Sequence, residues 1–476
     1  MRILLVRPAS PNERFGLGPF FRVEPLGLEY VAAALRSRGH EVRLADLRFS
    51  SSLRSLLRWH RPRMVGIASA HTVDFGASAQ VAREVKRHDP SITTLMGGHA
   101  VAAFPGPLSD RHVDAIALDD GEVTAPAVAE ALTRGRPLSD VPGLSVRKTI
   151  GLSTTFERTA SLQERTSLDE IPLPARDLVA PFQKHYHVVH KSPLWALETA
   201  RGCPYRCSFC SIWRLLGRSC RVRRVDAVCE DFRAVGDNVF VVDDLFWHMR
   251  SRSLELGEAL ARSRVCKEFV LVQSRLDTVA RNPDLLRVWR PLARYFDIFF
   301  GFEAPTARQL DSLDKDLRVE SIEDGVRVAR DQGFGVTGNF VIDPGWDEHD
   351  FQAMWDMVDR LQLTRAGYTI LTPLPGTPLY DEVASRIVEK DWSKFDMHHI
   401  LYEPKLGRRR FFELFAKSWR RNVLGPAFSL RAWVKWMRQV KVTEVAMLAR
   451  ILAQTQRNMN AESYLAEAFP LQIPAR

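Results

Sequence analysis

The chain has 476 residues, 45% hydrophobic and 26% charged, with a formal net charge of +10 at neutral pH. That length holds two or three domains, each able to bury a full core, and the ordinary composition excludes a disordered or low-complexity polypeptide. Six cysteines are too few for a secreted disulfide scaffold. No run reaches the roughly 18 uncharged apolar residues of a bilayer span, and Met1–Pro8 lacks the pattern of a signal peptide, so a cytoplasmic enzyme is expected.

Taken in chain order, the first 135 residues alternate strand-like and helix-like patterns. Strands are predicted at 3–7, 41–45, 64–68, 92–96 and 115–118, and helices at 26–37, 53–60, 77–88 and 124–133, several stopped by Gly or Pro. The fold class is α/β, and this part reads as a doubly wound, Rossmann-like domain over 1–135. Ligands of such sheets bind beyond the carboxyl ends of the strands. Three turns fall there: Ser69-Ala70-His71-Thr72, Gly97-Gly98-His99 and Asp119-Asp120-Gly121-Glu122. Residues 136–192, interrupted by five prolines, read as an extended linker. A second alternating region, 193–379, carries strands at 195–199, 239–242, 269–272, 298–302, 336–341 and 367–371. Six βα units suit a partial (β/α)6 barrel of the TIM type, with chemistry at the carboxyl ends of its strands. From 380 to 476 strand signals disappear and a helical, basic region is expected.

The first barrel strand runs into Ala200-Arg201-Gly202-Cys203-Pro204-Tyr205-Arg206-Cys207-Ser208-Phe209-Cys210. Three thiolates at this C-x3-C-x2-C spacing can hold three irons of a cubane 4Fe-4S cluster and leave the fourth iron open to a small ligand. A zinc knuckle is the alternative, with His185, His187 or His190 as the missing fourth ligand, and three core thiols are another. Cys220, Cys229 and Cys266 read as small hydrophobes.

The cysteine run, with Phe209 before the last Cys, resembles the signature of the radical S-adenosylmethionine (radical SAM) enzymes. Behind it come Val242-Asp243-Asp244, Gln273-Ser274-Arg275, Gly301-Phe302-Glu303 and Pro375-Gly376-Thr377-Pro378, an order that resembles the cobalamin-dependent members. The resemblance implies that Cys203, Cys207 and Cys210 hold the cluster and that S-adenosylmethionine lies against Phe209, Asp243, Asp244, Arg275 and Glu303. It implies that the first domain binds cobalamin around Ser69, Gly97 and Gly98. The D-x-H-x-x-G motif that supplies a cobalt-ligating histidine in many cobalamin proteins is absent, since the first strand is followed by Ala9-Ser10-Pro11-Asn12-Glu13. Cobalt without a histidine from below is therefore expected, His71 and His99 being the nearest candidates. The whole order is most similar to the hopanoid C-3 methylase subgroup, which implies methyl transfer to an unactivated carbon through a 5′-deoxyadenosyl radical and methylcobalamin. A rearrangement, cyclisation or oxidation using the same cofactors is the rival.

Arg408–Arg421 and Leu430–Arg438 interleave Arg and Lys with Phe and Trp. Such a segment suits peripheral contact with an anionic membrane, and equally a helix whose aromatic face packs on the barrel. The expected partners are a small-molecule or lipid substrate and an electron-donating reductase of flavodoxin or ferredoxin type. No nucleic-acid recognition module is present.

Overall fold

The computed structural model describes residues 1–9, 20–49, 52–150, 153–162, 165–424, 426, 430–438 and 440–468. The turn 10–13 after the first strand lies outside them.

Two sheets organise the molecule. In the first, Glu41–Asp46, Arg2–Arg7, Met64–Ala68, Thr93–Gly97 and Ala115–Ala117 lie side by side in that order and run parallel. The order reverses beside Arg2–Arg7, the switch that makes a doubly wound sheet. Its strands are near-continuous apolar runs such as Ile3-Leu4-Leu5-Val6, all four buried, because helices cover both faces. One element was not legible in the sequence. Leu144–Ile150 and Ser153–Arg158, inside the stretch read as a linker, form an antiparallel hairpin that extends the sheet beyond Ala115–Ala117. The hairpin lies at the sheet edge and its second strand buries no residue, so it carries little apolar alternation to detect.

The second sheet orders Trp195–Leu197, Asn238–Val241, Lys267–Ser274, Ala293–Glu303, Gly335–Ile342 and Ala366–Ile370, all parallel. Six strands in sequence order, each followed by a helix, make an open barrel. Its core is aromatic: Phe296, Phe300, Phe302, Phe340 and Tyr368 are buried, and the rings of Phe302 and Phe340 stack at 5.1 Å. Trp247 and Trp346 belong to this core rather than to a substrate cavity.

The basic aromatic tail divides in two. Along Arg408–Leu424, Phe411, Phe412 and Phe415 are fully buried, and Arg409, Arg410 and Arg421 pair with Glu462, Glu348 and Asp359. That half packs against the last barrel strand, as the second of the two readings has it. Beyond it the pattern changes. Of the large hydrophobic side chains exposed among the described residues, only Trp59 lies outside the stretch from Leu430 to Leu452, where Leu430, Val434, Val442, Val445 and Leu452 stand in solvent. No described helix is long and apolar enough to cross a membrane.

Candidate functional site between the two sheets

The carboxyl ends of both sheets face one another, and the cysteine loop lies between them. Trp195–Leu197 leads through Thr199 into a two-residue ribbon, Ala200–Arg201 paired with Arg221–Val222. Gly202 follows at φ +103°, and a Cβ there would stand 2.1 Å from the Ser219 carbonyl oxygen. Only glycine lets the chain pass and launch Cys203. The loop is then pinned at every turn. The Ser208 amide donates to the Leu313 carbonyl at 3.0 Å, the Ser208 carbonyl accepts from Leu379 N–H at 3.1 Å, and Trp213 Nε1 donates to the Cys207 carbonyl at 3.1 Å. Phe209 packs with Leu313, Leu371 and Leu379, so it fixes the loop on the barrel rim.

The donor set suits a cluster. Burial raises the pKa of the Cys203, Cys207 and Cys210 thiols, that of Cys210 to about 12, so thiolates persist here only where positive charge replaces the protons. A zinc knuckle fails on its fourth ligand. His185 stacks on Phe49 at 4.7 Å, His187 is paired with the strand at Phe21–Arg22, and His190 faces Glu444. Among the described residues no three His, Cys, Asp or Glu side chains converge on one metal ion. A cubane does not require that convergence, since each thiolate meets its own iron.

The carboxylates and arginine expected around S-adenosylmethionine fall into two groups. Asp243 is 2% exposed and accepts from the Thr199 amide at 2.6 Å and from the Thr199 hydroxyl. Burial raises its pKa to about 7. It anchors the strand that leads into the cysteine loop. Arg275 is spent in the same way. Nε donates to Asp277 at 2.9 Å, Nη1 to the Lys315 carbonyl at 2.9 Å and Nη2 to the Asp316 carbonyl, with its face 3.8 Å from the Tyr205 ring. It clamps the cysteine loop to the turn at 314–316.

Asp244 is less buried than these two, and Glu303 is as buried as Arg275. Asp244 is half-buried and accepts from the Gly202 amide at 2.8 Å, with His99 near enough to act on its charge. Glu303 ends the fourth barrel strand in the left-handed region, φ +60°, at a register shift between Gly301 and Glu303. A non-glycine residue held there at a strand end is a strained placement of the kind found at functional sites. Its Oε1 accepts from Lys315 Nζ at 2.6 Å, and a Cβ on Gly301 would stand 2.2 Å from that same oxygen. Lys315 was not foreseen. It lies in Asp314-Lys315-Asp316, which reads as a solvated turn, yet it is buried beside Glu303 and Cys207, and the Glu303 carboxylate raises its pKa against the effect of burial.

On the opposite wall, Gly98 at φ +126° sits directly on the Ser69–Ala70 backbone, with a Cβ 2.7 Å from the Ser69 carbonyl. The Ser69 hydroxyl is fully buried with no hydrogen-bond partner, a group that wants a ligand. His71 retains accessible surface although burial lowers its pKa, which marks it as lining an interior cleft beside His99. Gly97 is half-buried at the end of its strand, its carbonyl accepting from Ser69 N–H at 2.7 Å. The glycine cradle and the unpaired hydroxyl fit cobalamin held on this wall.

Interdomain contacts fix the two walls. The helix His99–Ala103 packs on Ile212–Leu216, just after the cysteine loop, and a Cβ on Gly376 of Pro-Gly-Thr-Pro would be 3.1 Å from Ala103. The Asp119–Glu122 turn makes ion pairs across the two domains. Its Asp120 pairs with Arg221 at 2.6 Å and its Glu122 with Arg201 at 2.6 Å, tying the first sheet to the ribbon beneath the cysteines.

Comparison with known proteins bears on the family and the fold. Residues 19–129 match the B12 binding domain and residues 197–358 the radical SAM superfamily. The hopanoid C-3 methylase of Methylococcus capsulatus is 31% identical over 406 residues, covering 84% of this chain and 76% of that protein. Among solved structures, OxsB, a cobalamin-dependent S-adenosylmethionine radical enzyme, superposes with a TM-score of 0.70 at 16% identity, covering 98% of this chain and 74% of that one. The radical SAM methyltransferase TsrM of Kitasatospora setae does so with a TM-score of 0.64 at 19% identity, covering 81% and 74%.

Proposed function

Because this chain belongs to the cobalamin-dependent radical SAM methyltransferases, we propose that it methylates an unactivated carbon of a hopanoid or comparable lipid, working as a peripheral enzyme at an anionic membrane. The observation that carries the substrate class is its 31% identity, across 84% of the chain, to a hopanoid C-3 methylase. The exposed apolar side chains from Leu430 to Leu452 support the lipid surface. Arg431, Arg438, Lys441 and Arg450 stand exposed among them, and each basic residue near an anionic surface contributes about 1 kcal/mol.

When bound, the cluster supplies one-electron cleavage of S-adenosylmethionine and cobalamin supplies the methyl group. This chain's own residues do the positioning. Cys203, Cys207 and Cys210 hold the cluster, while Arg275, Asp243 and Phe209 fix the loop that carries them. Asp244 and the buried Glu303–Lys315 pair lie beside the cysteine loop, where a carboxylate would suit an ammonium or ribose hydroxyls and a lysine a carboxylate. Ser69, Gly97 and Gly98 cradle cobalamin on the facing wall, so both cofactors would share one space shielded from bulk water. A flavodoxin- or ferredoxin-type reductase provides the electron.

Lipid mass spectrometry of a host strain with and without the gene tests the substrate class. A hopanoid heavier by one methylene unit that disappears on deletion and returns on complementation is expected. An unchanged hopanoid profile, with a different methylated metabolite lost, would overturn the lipid reading.

A further inference from the structure

Away from the cleft, the barrel wall carries a groove of about 770 Å³ between the helices Val225–Ala234 and Arg250–Arg262. Five arginines line it: Arg223, Arg224, Arg233, Arg252 and Arg262. Only three carboxylates do, Asp169, Asp226 and Glu255, and the first two already engage Arg224 through its amide and its Nε. The groove is cationic.

Its floor is also incompletely satisfied. Arg223 is 2% exposed, and while its Nη1 donates to the Ile171 carbonyl at 2.8 Å, its Nε and Nη2 have no partner. Nη1 of Arg252 has none either, and burial lowers the pKa of that guanidinium. Buried charged donors left unpaired are unfavourable by several kcal/mol. Those nitrogens are closed off from a partner, and the exposed Arg224, Arg233 and Arg262 are the groove side chains that a partner's carboxylates can pair with.

The location selects the partner. Ligands of a barrel occupy the carboxyl ends of its strands, whereas this groove is on the outer wall, with Arg223, Arg224 and Arg252 at the helix ends nearest the cysteine loop. Val222, which opens the groove, is paired with Ala200, three residues before Cys203. Resting on the function proposed above, we infer that this groove docks the acidic face of the one-electron donor protein. The donor's flavin or iron–sulfur centre loses one electron and the cluster on Cys203, Cys207 and Cys210 gains it, with no bond made or broken. Opposite charges speed encounter and fix register, and salt weakens both.

The test is binding of an acidic flavodoxin to the anaerobic holoenzyme, measured by surface plasmon resonance at low and high salt. The triple variant Arg224→Glu/Arg233→Glu/Arg262→Glu changes three exposed side chains of the groove. Arg54→Glu/Arg58→Glu/Arg87→Glu makes the same charge change on exposed helix positions of the first domain. The groove variant should raise Kd at least tenfold and flatten the salt dependence, while the control stays within about twofold of the parent. Equal weakening in both, or none in the groove variant, would overturn the docking site. Cleavage of S-adenosylmethionine with dithionite needs no docked protein, so it reads the catalytic assignment separately: its loss in the parent enzyme would count against the function, and its retention in the groove variant is expected.

Discussion

At the scale of single residues, the buried ion pair Lys315–Glu303 makes the sharpest prediction. Removing one partner of a buried pair leaves an uncompensated charge, which destabilises by about 3–5 kcal/mol. Lys315→Met should therefore lower stability by that order, and Lys315→Met with Glu303→Gln should recover most of it, as measured by denaturant unfolding of the two variants. If the double variant is no better than the single, the pair is not the buried unit its 2.6 Å contact describes. Asp243 predicts a pH dependence. With a native pKa near 7 and an unfolded value near the usual 3.8, the native state binds the additional proton between those limits. Stability then falls as pH rises from about 4 through 7. Asp243→Asn should remove that slope, and parallel pH profiles for parent and variant would contradict the assignment. Gly98 predicts a separation of cofactors. A side chain at φ +126° and 2.7 Å from the Ser69 backbone should cost Gly98→Ala its cobalamin absorption while iron content persists.

At the scale of elements, much was legible because parallel strands and their helices announce themselves by apolar runs and clear stops. The predicted helices 26–37 and 53–60 coincide with Leu26–Ser37 and Leu53–His60, the second capped by the Ser52 side chain. The edge hairpin at 144–158 was invisible because its second strand buries no residue, and the helix Arg408–Leu424 was ambiguous because its arginines and phenylalanines suit a membrane or a core equally. Only the packing, with Phe411 and Phe412 at 0% exposure, decides that. Within the site, the cysteine loop was readable from spacing alone. The partners of Asp243 and Arg275 were not readable, because hydrogen bonds to Thr199, Lys315 and Asp316 across 40 or more positions leave no local pattern. The segment from Leu430 onward predicts liposome binding. The full chain should float with anionic vesicles at low salt and release at high salt, and Leu430→Ser with Val434→Ser and Val442→Ser should abolish flotation without loss of iron. Equal recovery in the soluble fraction at both salt concentrations would favour a soluble substrate.

At the scale of the whole molecule, the design is two sheets whose carboxyl ends confront each other, locked by Arg201 and Arg221 to the Asp119–Glu122 turn and by His99–Ala103 against the loop after the cysteines. On the function proposed, this one cleft would serve both cofactors and the substrate. The most direct measurement is a single-vessel anaerobic reaction of the reconstituted enzyme with methyl-labelled S-adenosylmethionine, a reductant and hopanoid in anionic vesicles. Equal amounts of S-adenosylhomocysteine, 5′-deoxyadenosine and labelled methylhopanoid are predicted. 5′-Deoxyadenosine formed without S-adenosylhomocysteine, or without label in the lipid, would contradict the account.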